Sequence, residues 1–134
     1  MNTAYFAWSS RFELVWLSAP EAHHSRNLRW HPSTAIAVFD TDQTWGGRDR
    51  GIQLFGTGSE ARGAAKRDAE RLYARRFKQY ESGSLEACRF YRFRPREIKL
   101  FHEQLIGGGM FVTATVGRDG ALHWQRTEEY EAED

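Results

Sequence analysis

Apolar and polar residues alternate in short runs along most of this chain, and the period lengthens to that of a helix in only two places. Thr3–Trp8 (TAYFAW) and Phe12–Ser18 (FELVWLS) read as two strands joined through Ser9, Ser10 and Arg11, a hairpin. In the second run Phe12, Leu14 and Trp16 point one way, Val15 and Leu17 the other. Apolar residues on both faces suit a strand inside a barrel or at a subunit contact. The pattern Ser18-Ala-Pro-Glu21 reads as a capping box, with a short helix from Pro20 to Trp30 that stops before Pro32. Thr34–Asp40 and Arg50–Thr57 are further strands around a loop holding two glycines. In the latter strand Gly51, Gln53 and Phe55 share a face and Ile52 and Leu54 take the other. A long helix is expected from Ser59 to about Tyr80, because Ala65, Ala69, Leu72, Tyr73, Phe77 and Tyr80 trace one helical stripe. Cys88–Arg94 alternates with period two, Pro95 breaks it, and Glu97–Phe101 resumes. After the glycines at 107–109, Met110–Val116 and Ala121–Arg126 form a hairpin around Asp119-Gly120, the strongest turn signal in the chain.

That order gives about seven strands and two helices, without βαβ alternation or an internal repeat. The fold class expected is mainly β: a small closed or nearly closed β-barrel with inserted helices. At 134 residues the chain reads as one domain over residues 1–127, followed by an acidic tail at 128–134. The tail carries five acids and no base, so the net charge of +1 conceals 13 acids against 19 bases over the rest. A modestly basic body suits an anionic ligand as well as an ordinary solvated surface. Cys88 is the lone cysteine and excludes an intrachain disulfide; with no membrane-span or signal-peptide pattern, the expected compartment is the cytoplasm.

Self-sufficient catalytic motifs are missing: there is no phosphate-loop glycine pattern, zinc spacing or G-x-S-x-G. His23 and His24 are adjacent, splay apart on a helix by about 100° and do not chelate one metal. The segment 18–29 places a helix N-terminus, the hydroxyl of Ser18, His23, His24, Arg26 and Arg29 within a few turns. A helix start offers unpaired amides and a partial positive charge, and His23 or Arg26 would add charge-assisted bonds to a phosphate. A capped surface helix with solvated basic residues fits the same letters. Gln53 is a lone amide in an otherwise apolar strand. It either meets the polar edge of a planar heterocycle or faces solvent and bonds a neighbouring strand. The basic face at 62–78 lacks interleaved aromatics and reads as solvated, not as a nucleic-acid surface.

Taken in order, NTAYFAW, FELVWLS, HSRNLRWHP, TAIAVFD, GIQLFGT, LYARRF and RFYRFRPREIKL resemble the FMN-binding split barrels related to pyridoxamine 5'-phosphate oxidase, over roughly residues 2–102. The resemblance implies a homodimer with FMN sites at the subunit interface, built from both chains. It places Ser18, His23, His24, Arg26 and Asn27 around the phosphate and Gln53 beside the ring. The chain departs from the family pattern at Ala22, His23 and His24, where members usually carry Thr or Ser then Arg, or Arg then Lys. The function expected is that of a flavin-dependent oxidoreductase whose cofactor does the redox chemistry. Two alternatives remain open: a split-barrel dimer that has lost flavin and serves in binding or scaffolding, and a related barrel using deazaflavin or haem. Haem would ask for an axial ligand, and His102 and His123 lie near the end strands. The homodimer also follows from the aromatic load, since Trp16, Phe55, Phe90 and Phe93 exceed what one small barrel should bury; it is expected to bury more than about 2,000 Å².

Overall fold

A computed structural model describes residues 3–83 and 85–131. Among them lie seven strands, β1 (Phe6–Trp8), β2 (Leu14–Ser18), β3 (Ser33–Phe39), β4 (Arg50–Glu60), β5 (Arg89–His102), β6 (Met110–Val116) and β7 (Leu122–Glu129), and two helices, α1 (His23–Trp30) and α2 (Ala64–Arg76). The strands form one sheet in the order β1-β2-β5-β4-β3, with β6 on β5 and β7 on β6. The chain divides into two compact units, Met1–Thr34 with Gly56–Arg94 and Ala35–Phe55 with Pro95–Asp134. No helix of the described residues is long and apolar enough to cross a membrane.

In the first unit β2 is sandwiched as its two apolar faces require. It pairs antiparallel with β1 (Ala7↔Val15) and with β5 (Leu14↔Phe93 to Ser18↔Arg89). Val15 is 1% exposed within a cluster of Ala7, Ala61, Ala69 and Phe90, against which Leu72 and Tyr73 of α2 pack. On its other face Leu14 and Trp16 are 5% and 8% exposed, and Trp16 stacks on Tyr91. Trp16, Phe90 and Phe93 are therefore buried within a single chain, and only Phe55 of the four aromatics is left partly exposed, at 36%. One protomer thus absorbs most of the aromatic load, which by itself calls for no second copy.

Several boundaries differ from the sequence reading, each for a tertiary reason. β4 runs to Glu60, past the expected helix start at Ser59, because the Ala61 amide donates to the Phe90 carbonyl and holds the chain on β5. Gly63, at φ 59°, then turns the backbone into α2. At its other end α2 stops at Arg76. Phe77 is extended, and the rings of Tyr73, Tyr80 and Phe90 meet edge to face, with Phe77 tilted against Tyr73, in a cluster that a continued helix would pull apart. Pro95 does not break β5, which is continuous over Arg89–His102. It pairs with β2 at residues 89–93 and with β6 at residues 97–100, so Pro95 falls in the gap between these two ladders.

In the second unit β6 and β7 make the expected hairpin. Gly120 is at φ 82° in the turn, and Asp119 Oδ1 accepts from the Ala121 amide. Phe101, Phe111 and Tyr130 form a run of ring contacts beside it. The glycines at 107–109 serve the turn into β6: Gly107 and Gly109 have positive φ, and the Gly109 carbonyl accepts from the Tyr130 amide. β7 extends to Glu129, so it takes in the first acids of the tail, while residues 132–134 lie outside the described chain.

Candidate functional site

The segment between β2 and α1 holds most of the expected site residues, arranged differently from a capping box. α1 begins at His23, not Pro20, its N-cap is Ala22, and no side chain caps it. Ser18 ends β2 in register with Arg89, and its hydroxyl is hydrogen-bonded to His24 Nε2 at 2.6 Å. Glu21 does not reach back to the helix start; it pairs with Arg29, 3.7 Å away. The first amides of α1 have no intrahelical acceptors, and no acidic residue lies in the first turn to offset their partial charge.

The two arginines of the segment are not equivalent. Arg29 Nη2 donates to the Pro20 carbonyl at 2.6 Å as well as facing Glu21, so its charge is engaged. Arg26 is exposed and has no ion-pair partner among the described residues. His23, Arg26 and Asn27 are all exposed at helical spacings of three and four, which puts them on one face of α1. Sequence reasoning missed Ser25, which is fully buried with its hydroxyl unpaired among the described residues. A serine among polar residues gives no signal of burial; only the side of α1 that packs inward decides it.

Gln53 belongs to the other compact unit. It is exposed on β4, while Leu54 beside it is buried, as the alternation requires. The neighbouring Gly51 does not leave free space for a heterocycle. The Phe101 ring fills it, and a Cβ on Gly51 would come within 2.3 Å of Phe101 Cζ. Gln53 and Phe55 are what remains available on that face.

Among the described residues no group of three His, Cys, Asp or Glu side chains is placed to hold a metal. The Leu105 amide donates to the His102 carbonyl at 3.1 Å and also reaches His102 Nδ1, at 3.3 Å. His123 is exposed on β7, its Nε2 beside the Gly117 turn. Gln43–Gly47, Asp49 and Glu103 line an open surface depression of about 630 Å³, and it contains none of the expected site residues.

No family model matches the chain, and no curated protein matches it in sequence. Solved structures do match its backbone. A heme binding protein from Mycobacterium smegmatis superimposes with a TM-score of 0.62 at 16% identity, over 84% of this chain and 45% of that one. A pyridoxamine 5'-phosphate oxidase-related, FMN binding protein from Nostoc punctiforme gives a TM-score of 0.62 at 7% identity, over 98% of this chain and 79% of that one. The present chain thus spans less than half the length of the mycobacterial protein. At these identities the likeness is one of fold: the chain has the split-barrel fold of its pyridoxamine 5'-phosphate oxidase-related neighbour.

Proposed function

We propose that this protein binds FMN as a homodimer and acts in flavin-dependent redox chemistry, with the FMN phosphate held at the start of α1. The observation that carries the reading is the uncapped first turn of α1 beside the Ser18–His24 pair, with Arg26 exposed and not ion-paired. Amides without intrahelical acceptors, a hydroxyl and a cation without an ion-pair partner suit a phosphate dianion. With the proton of His24 on Nε2, the ring donates to Ser18 Oγ, and the Ser18 hydroxyl proton is free to donate to a phosphate oxygen. When bound, the flavin ring supplies electron and hydride transfer, and the protein supplies binding and orientation. The Nostoc neighbour, named as FMN binding, agrees with this choice of cofactor. A ring-contacting role for Gln53 is a separate part of the proposal; it rests on the family resemblance and on the exposure of that amide beside Phe55.

A second reading, haem, draws on the mycobacterial neighbour. It would take His102 or His123 as the axial ligand. The spectrum of the purified protein, with mass spectrometry of whatever denaturation releases, separates the readings. Flavin bands and the mass of FMN are expected. A Soret band selects haem, a deazaflavin mass selects that cofactor, and a colourless protein that also fails to take up added FMN overturns the proposal in favour of a barrel without cofactor.

A further inference from the structure

β7 is an edge strand: among the described residues its one ladder is with β6, and all of its residues are exposed. An edge leaves every second pair of backbone groups open to another chain. The register shows which ones. Met110 faces Glu129, and the Tyr130 amide donates to the Gly109 carbonyl at 2.6 Å. The backbone groups of Tyr130, Glu128 and Arg126 therefore turn toward β6, and those of Glu129 and Thr127 turn outward. A register shift between Thr113 and Ala114 leaves Gln125 outside the Cα register with β6, so the regular stretch starts at Arg126.

The charges along this edge are self-complementary in one register. A two-fold antiparallel pairing of β7 with a second copy must be centred on a residue that faces itself. Centred on Arg126 it opposes two arginines; centred on Glu128 or Glu129 it opposes two glutamates. Centred on Thr127, each Arg126 faces a Glu128 of the other copy, and the outward backbone groups of the two Thr127 residues meet each other. Arg126 Nε and Glu128 Oε1 already lie 2.9 Å apart on the strand, so the pairing would join two ion pairs into an alternating square of four charges. Trp124 and Tyr130, both exposed, flank it.

We propose that two copies of this chain associate through β7, antiparallel and centred on Thr127. The inference rests on the homodimer of the preceding section but not on its cofactor. Sedimentation of the full chain is expected to show about twice the 15.5 kDa of one copy. Arg126→Glu alone and Glu128→Arg alone each set like charges opposite one another and should weaken the dimer about ten- to a hundredfold. An equimolar mixture of the two variants restores opposite charges across the pair and should regain the dimer, which also shows that both variants are folded. In a Cys88→Ser background, Thr127→Cys should form a disulfide-linked dimer under mild oxidation, because residues facing at such a centre lie about 5.5 Å apart at Cα, whereas Glu129→Cys should not. A dimer indifferent to both reversals and without the Thr127→Cys crosslink overturns the β7 pairing while leaving a homodimer standing. A monomer at high micromolar concentration overturns both. Flavin binding is read separately by absorbance, so loss of the β7 pairing and loss of the cofactor are told apart.

Discussion

Gly51 has no side chain, and the Phe101 ring occupies the place where one would project. Phe101 is itself in contact with Phe111, so it has little room to swing aside. Gly51→Ala is expected to lower stability by about 1–3 kcal/mol, the usual cost of overpacking, measured by urea unfolding, and adding Phe101→Leu should recover part of the loss. The arginines of α1 give a paired comparison. Arg26→Ala should weaken FMN by about 1.5–3 kcal/mol, the scale of a hydrogen bond to a charged group. Arg29→Ala should change FMN affinity little, because its guanidinium is already spent on Pro20 and Glu21. Calorimetric titration of the two variants decides this, and equal affinities would move the phosphate elsewhere. The Gln53 side chain makes no hydrogen bond among the described residues. Gln53→Leu should therefore leave the melting temperature unchanged while costing about 1–3 kcal/mol of flavin affinity, if its amide meets the ring edge. A drop in melting temperature with affinity intact would refute that role.

The end of α2 shows how residues beyond an element hold it in place. Tyr80 lies past the helix, yet its hydroxyl donates to Glu70 Oε1 at 3.0 Å and ties the next turn of chain back to α2. Burial first, then the bond to Glu70, pushes the Tyr80 hydroxyl from its ordinary value of 10.0 up to about 12. Burial also raises Tyr73. The folded chain thus holds the Tyr80 proton more tightly than the unfolded one. Its contribution to stability is complete below pH 10 and is lost as the pH rises through about 12. Thermal melts from pH 9 to 12 should show a fall in melting temperature that begins above pH 10, and Tyr80→Phe should flatten the part of it that Tyr80 causes. An identical alkaline slope in both proteins would remove Tyr80 as the cause.

At the level of the whole molecule, binding of a ligand to the folded state alone raises stability by mass action. FMN at a hundredfold excess over its dissociation constant should add about 2.7 kcal/mol, which for a chain of this size is roughly 8 °C in melting temperature. Riboflavin at the same concentration should give a much smaller shift, because it lacks the phosphate that the start of α1 is proposed to hold. Equal shifts from both would show that the ring alone drives binding and would detach the anion site from the function.

Local pattern was sufficient for much of this protein. The opposed apolar faces of β2, the Asp119-Gly120 hairpin, the division of β4 into a Gln53 face and a Leu54 face and the strand count all follow from alternation and turn chemistry, which the chain carries in neighbouring residues. Where an element stops, and which polar group meets which, was decided at a distance. β4 runs on to Glu60 because the Phe90 carbonyl awaits the Ala61 amide, and β5 passes through Pro95 because its partners change there. Ser18 is a strand residue bonded to His24 and not a helix cap, because its pairing with Arg89 on β5 fixes where β2 ends and so which donors its hydroxyl can reach. The same holds for the arginines: identical in sequence terms, Arg26 and Arg29 differ because the fold brings a carbonyl and a carboxylate to one and leaves the other in water. Periodicity sets the face a residue takes, but long-range register sets its partner, and a binding site is made of partners.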